Sequence, residues 1–348
     1  MTDPVDHLTL NRPDDWHVHL RDGAALAAVA GYTARAFARA IVMPNLKPPV
    51  TTVAAAAAYR DRIRAALPAG TAFEPLMTLY LTDNTPPSEI AAAKSSGFVH
   101  AVKYYPAGAT TNSDSGVTAI DRIYPALAAM ERQDVVLSLH GEVTDPDVDM
   151  FDRERVFVDT ILARVTRDFP ALRIVLEHVT TREAAHYVRD APTPIAATIT
   201  PQHLMWSRSA LFAGGLRPHF YCLPILKRET HRQALVEAAT SGSPRYFLGT
   251  DSAPHARHAK EAACCGAGCF SAPVALALYA EAFDAAGALS RLPDFASGFG
   301  ADFYRLPRNR DVVTLRREPT PVPASYPFGD DTLVPLRAGE TVAWRVLQ

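Results

Sequence analysis

Eight short apolar runs alternate with eight helical patterns along this chain, and that rhythm constrains the fold more than any other feature. The strand-like runs are 15–20, 39–45, 74–81, 100–106, 135–141, 173–179, 195–201 and 245–251. Helical patterns, many of them alanine-rich, fill 24–37, 52–66, 87–96, 118–132, 153–168, 181–189, 228–240 and 272–286. Eight βα units in this order predict a closed (β/α)8 barrel, an α/β fold. An open doubly wound sheet is the competing arrangement. It would more often carry a glycine-rich phosphate loop after its first strand, and LRDG is not one. Past about residue 290 the rhythm stops and Pro and Gly become frequent. The expectation is a single domain spanning 1–348, with a barrel core over about 12–290. A helix near 294–305 and an extended, loop-rich tail make up the 291–348 extension.

Composition excludes several roles. The net charge is −2, and no basic run advertises nucleic acid or an acidic membrane. No apolar run reaches the roughly 18 residues of a spanning helix. The start, MTDPVDHLTL, lacks the basic and apolar regions of a signal peptide. Four cysteines in 348 residues do not form a disulfide framework. A cytoplasmic protein is expected.

In a (β/α)8 barrel the C-terminal ends of the strands face the active site. The first strand carries WHVHLRDG, and residues two apart on a strand share a face. His17, His19 and Arg21 therefore project together. The second strand ends at Asn45, the fourth carries Lys103, the fifth ends at His140, the sixth at His178 and the eighth at Asp251, with His255 in the loop that follows. Each has a plain structural explanation when taken alone: a strand-end His is commonly a hydrogen-bonded structural residue, and an Asp after an apolar run is commonly a turn or cap. His100, His186, His219 and His231 belong to that plain class. Lys103 resists it, because only five of the 35 basic residues are lysines (47, 94, 103, 227 and 260) and this one interrupts an apolar strand.

Together these residues point to a metal centre. Imidazole with carboxylate suits zinc, and iron, nickel or manganese less decisively. Cys264, Cys265 and Cys269 lack a second pair at useful spacing for a zinc knuckle. Four histidines and an aspartate exceed what one catalytic zinc needs, so two metals sharing an anionic bridge fit better. A protonated lysine cannot ligate, but a lysine carbamate can.

The motifs DWHVHLRDG, MPNLKPP, VKYYPAGATTNSDSGV, LHGE, LEHVTT, CLPILK and LGTDSAPH, with GAGCF, resemble the amidohydrolase superfamily and, within it, the shorter bacterial dihydroorotases. The resemblance runs from about residue 10 to beyond 300. It implies two Zn2+ per subunit, one held by His17, His19 and Asp251 and the other by His140 and His178. An N6-carboxylysine at Lys103 and a hydroxide would bridge them. It further implies a substrate-carboxylate pocket at Arg21, Asn45 and His255, and backbone contacts to the substrate at Leu223 and Ala267. Thr110 and Thr111 would sit in a mobile lid loop, and the protein would be a homodimer. The implied reaction is the reversible hydrolysis of dihydroorotate to N-carbamoyl-L-aspartate, with Asp251 as proton carrier. A hydantoinase or allantoinase would share the metals without needing a carboxylate clamp, and a non-catalytic scaffold would be expected to have lost ligands. Glu142 and Glu177 are expected to support the ligands rather than react. Strand alternation further predicts that Glu177 points away from the face of His178.

Overall fold

The computed structural model describes residues 6–347. A short strand, β1 (His7–Asn11), precedes the barrel. The barrel strands are β2 (Asp14–Val18), β3 (Arg39–Val42), β4 (Glu74–Tyr80), β5 (Val99–Tyr104), β6 (Val136–His140), β7 (Ile174–Glu177), β8 (Ile195–Ile199) and β9 (Tyr246–Leu248). They form one parallel sheet in sequential order, β2 through β9. The last turn of chain closes it back on the first strand: Asp251 N–H donates to His17 O at 2.9 Å and His19 N–H to Ser252 O at 3.0 Å. The eight predicted strands are all present, each ending earlier than its apolar run.

Local chemistry starts the helices that return the chain between strands. Asp22 accepts from Gly23 N–H to open helix Gly23–Ala36, Thr52 opens Val53–Ala66, and Thr181 opens Arg182–Asp190. The predicted helix at 153–168 is continuous but carries a π-turn at Val158–Leu162. The inside of the barrel is filled by Trp16, Ile41, Leu76, Ala101, Val136, Val175, Ala196 and Phe247. Tyr304, just after helix Phe299–Phe303, stacks on Trp16 with centroids 4.6 Å apart. Gly300 is needed there, since a Cβ would lie 2.0 Å from Trp16 Nε1.

The C-terminal region is more ordered than its Pro and Gly content suggests. It forms β10 (Val312–Pro321), β11 (Tyr326–Phe328), β12 (Asp331–Leu333) and β13 (Thr341–Leu347). β10 pairs antiparallel with both β1 and β13, and β11 pairs with β12. Alternation explains it: Val313, Leu315, Val342 and Trp344 turn inward while their neighbours are more exposed. The proline at 321 stands at a strand end, where no ladder donor is required.

Candidate active site

His17, His19 and Asp251 meet where β2 and the end of β9 close the barrel. Their ligand atoms converge: His17 Nε2 lies 3.3 Å from both His19 Nε2 and Asp251 Oδ1, and His19 Nε2 lies 3.2 Å from the same oxygen. Buried Asp15 fixes the backbone beneath them. It accepts from His17 N–H at 3.1 Å, Thr250 N–H at 2.8 Å and Thr250 Oγ1 at 2.5 Å, so one carboxylate ties the strand ends that carry all three side chains. Backbone conformation does the rest. Arg21, His178 and Asp251 have positive φ of 60°, 42° and 44°, an uncommon state for non-glycine residues that re-aims each side chain.

The second cluster departs from expectation. The rings of His140 and His178 are 4.9 Å apart, and His178 is also 4.9 Å from His17. His140 Nε2, however, turns to Glu142 Oε2 at 2.7 Å. The carboxylate grouped with His17 and His178 is Glu177. Its Oε2 sits 3.2 Å from His17 Nδ1 and pairs with the ammonium of Lys103, all fully buried. The expectation that alternation keeps Glu177 off this face is therefore corrected. Val175 faces the barrel interior, so Glu177, two residues on, faces inward with it. Register agrees, because Glu177 pairs directly with His140 of β6. His178 comes just after the strand, and its left-handed backbone turns it to the same side.

Burial and charge shape the electrostatics. Burial opposes a charge on His17, but Glu177 and Asp251 outweigh it and raise its pKa to about 9. Burial holds His19 at about 4. Burial disfavours ionised Asp251, yet His17 and its hydrogen bonds hold the carboxyl well below the usual range. Burial lowers the pKa of Lys103 against the pull of Glu177, which favours the neutral amine that carbon dioxide requires. His17, His19 and Asp251 thus form a largely buried N,N,O set whose atoms crowd around one point, and among the described residues the Nδ1 of buried His178 has no hydrogen-bond partner. Such donors fit a divalent cation of borderline softness.

Above the clusters, a narrow, partly enclosed cleft is lined by His17, His19, Arg21, Asn45, His140 and Asp251. Thr110, Thr111, His178, Leu223 and Ala267 also line it, so most of the predicted site residues share one chamber. Lys103 lies below it, and His255 stands behind Arg21. The loop holding Thr110 and Thr111 is down: Asn45 Nδ2 donates to Thr111 O and Asn112 Nδ2 to Asn45 O, each at 2.9 Å. Asn45 Oδ1 also lies 2.9 Å from His19 Nδ1, linking loop to cluster. Arg21 donates to Pro254 O at 3.0 Å, and its Nη2 lies 3.0 Å from His255 Nε2. Burial and Arg21 keep His255 neutral, with a pKa of about 3. Among the described residues no carboxylate lies within 4 Å of the Arg21 guanidinium, although it opens into the chamber.

The sequence model of the amidohydrolase family matches residues 15–311. The chain is 68% identical to the dihydroorotase of Laribacter hongkongensis over 340 residues, covering 97% of this chain and 99% of that protein. It is 68% identical to the dihydroorotase of Cupriavidus necator over 338 residues, covering 97% and 98%. The chain belongs to the amidohydrolase family, among its dihydroorotases. Solved structures agree. The dihydroorotase of Campylobacter jejuni superposes with a TM-score of 0.91 at 35% identity, over 100% of this chain and 99% of that one. The dihydroorotase of Saccharomyces cerevisiae, solved with 5-fluoroorotic acid, gives 0.91 at 32%, over 99% of each. An L-hydantoinase from Arthrobacter aurescens shares the fold at a TM-score of 0.80 and 16% identity, over 97% of this chain and 82% of that one.

Membership gives the unexpected residues a context. Glu177 and Glu142, absent from the expected ligand set, each touch a histidine that belongs to it, and Tyr105 lines the chamber with its ring 4.9 Å from Lys103 Nζ. Glu177 was legible in principle, from the phase of Val175 on β7. Tyr105 carried no such signal, because it follows the end of β5.

Proposed function

We propose that this enzyme catalyses the reversible hydrolysis of (S)-dihydroorotate to N-carbamoyl-L-aspartate at a centre of two zinc ions. His17, His19 and Asp251 would hold one ion, and His140 and His178 the other. Lys103, carboxylated on its amine, would lie between them. When bound, the zinc pair supplies a water of lowered pKa and Lewis-acid polarisation of the ring carbonyl. The chain's own residues do the rest. Arg21, with its planar fork, grips the substrate carboxylate together with Asn45 and His255. Leu223 and Ala267 offer backbone groups to the ring amide edge. The Thr110 and Thr111 loop excludes bulk water while the ring is bound. Asp251, ionised by its surroundings, accepts the proton of the attacking water and returns it to the departing ring nitrogen. Run backwards, the same steps close the ring.

The observation that carries this reading is the Arg21 guanidinium, which lines the histidine chamber and, among the described residues, has no carboxylate within 4 Å. An acid-bearing ring supplies the missing anion, and a neutral hydantoin would not. Among the described residues no helix is long and apolar enough to cross a membrane. A cytoplasmic homodimer acting on a small molecule is the setting that suits this chemistry.

The test is ring opening of dihydroorotate, followed by ultraviolet absorbance on protein prepared with zinc and bicarbonate. Turnover is expected. A folded, zinc-loaded protein that leaves dihydroorotate untouched but opens hydantoins would overturn the assignment.

A further inference from the structure

Two lysines outside the metal centre, Lys227 and Lys260, are buried, and among the described residues neither has a carboxylate within 4 Å; Lys227 donates to the Ile225 carbonyl. Lys260 ends the short helix Arg257–Lys260 and is 3% exposed. Its ammonium donates to three backbone carbonyls: Tyr221 O at 2.8 Å, Gly266 O at 2.7 Å and Gly268 O at 2.9 Å. All three N–H donors of the ammonium are thereby used. Among the described residues no carboxylate lies within 4 Å of it, so burial of this charge is offset by the three carbonyl dipoles and by the Tyr221 ring, whose centroid is 5.6 Å from Nζ.

The three acceptors are not scattered. Gly266 and Gly268 flank Ala267, and Tyr221 lies two residues before Leu223. Ala267 and Leu223 both line the substrate chamber. The two segments are also joined directly, Gly268 N–H donating to Tyr221 O at 3.0 Å. The loop needs its glycines to come this close. A Cβ at Gly266 would lie 2.8 Å from His255 Nδ1, and one at Gly268, where φ is +152°, would lie 2.4 Å from Ala253 O. Ala267 O, held between them, is 2.9 Å from His255 Nε2. A loop of CCGAGC composition has little side-chain packing with which to hold this shape, and the ammonium supplies the missing anchor.

We propose that Lys260 is a positioning residue for substrate recognition, a cationic clamp that sets the spacing of the Leu223 and Ala267 backbones across the chamber. This rests on the dihydroorotate reading for its kinetic consequence, though not for the clamp itself. Lys260 touches neither substrate nor metal ligand, so its loss acts on binding more than on the chemical step.

The experiment compares the zinc-loaded parent with Lys260→Met and Lys260→Gln. Lys260→Met is expected to raise KM for dihydroorotate by about tenfold or more while kcat stays within about threefold. Zinc content should be unchanged, and amide hydrogen exchange should quicken at 221–223 and 264–269. Lys260→Gln keeps two N–H donors and should fall between parent and Met variant. If the Met variant does not fold, the Gln variant alone decides by the same readings. KM within twofold of the parent together with unchanged exchange in these segments overturns the proposal. A parent that does not turn over dihydroorotate refutes the preceding reading instead, and the exchange data still decide whether Lys260 is the clamp.

Discussion

Glu177 Oε2 lies 3.2 Å from His17 Nδ1 and shares the same oxygen with the Lys103 ammonium. One buried carboxylate therefore touches two residues of the proposed metal centre. The carboxylate stands at ion-pair distance from Nδ1 without hydrogen-bond geometry, and its charge favours a proton on that nitrogen, leaving Nε2 for the point where His19 and Asp251 converge. Glu177→Gln keeps the shape but removes the charge. It is expected to lower zinc affinity or turnover by about 10- to 100-fold. Zinc retained after dialysis against a chelator, measured beside kcat, checks this; full zinc retention with parent activity would refute it.

Lys103 offers the sharpest test of the bridging group. Its amine is wholly buried in β5, where dehydration favours the neutral, carbon dioxide-reactive form. Lys103→Ala should abolish ring opening, and short carboxylic acids such as acetate should restore part of it by occupying the vacated space. Activity that disappears and never returns with any small acid would argue for a role of the ammonium instead. Retained activity in the variant would exclude both.

Much of this centre is readable from sequence because its residues violate local expectation. Two histidines share one face of the first strand, a rare lysine interrupts an apolar run, and polar residues recur at the same end of successive strands. What escaped is what depends on backbone phase. Assigning His178 to the alternation of β7 turned Glu177 outward, whereas Val175 and Glu177 carry the inward phase and His178 reaches the chamber through a φ of 42°. Such a left turn is uncommon in any non-glycine residue, and although His and Asp are enriched there, residue type alone does not mark which one adopts it. The same holds for Lys260, whose partners are carbonyls that any sequence would carry. The C-terminal sheet was masked differently: Pro319 falls where the register of β10 shifts, Pro321 at its end and Pro327 in the three-residue β11, while Val313, Leu315 and Trp344 supply a short alternating pattern.

Stability should respond to acid through His100, at the head of β5 and remote from the chamber. Burial first, and Arg39 beside it second, hold its pKa at about 4 against an ordinary 6.5. The folded value lies below the unfolded one, so the unfolded chain binds the proton more readily. The contribution is present in full above pH 6.5 and is lost as pH falls toward 4. Its size is on the order of 3 kcal/mol. Urea unfolding of the parent and His100→Gln across this range checks it, with the metal ligands common to both proteins. The parent should lose stability more steeply on acidification, and parallel curves would show that His100 titrates normally in the fold.

Arg21 separates an acid-bearing substrate from a neutral one. Its guanidinium is held by Pro254 O and faces His255, while Tyr59 Oη donates to the Arg21 carbonyl at 2.5 Å, so both ends of the residue are fixed before substrate arrives. A clamp prepared in this way loses little conformational freedom on binding. Arg21→Met retains the aliphatic stem and deletes the fork. For dihydroorotate kcat/KM should fall by about 100-fold or more, the scale of a lost charge-assisted bidentate contact. Hydrolysis of an unsubstituted hydantoin, however slow in the parent, should change by less than about threefold, because that ring presents no carboxylate to Arg21. Steady-state kinetics on both substrates decide between the outcomes. Equal losses on the two rings would mean that Arg21 supports the architecture of the chamber and does not read the acid.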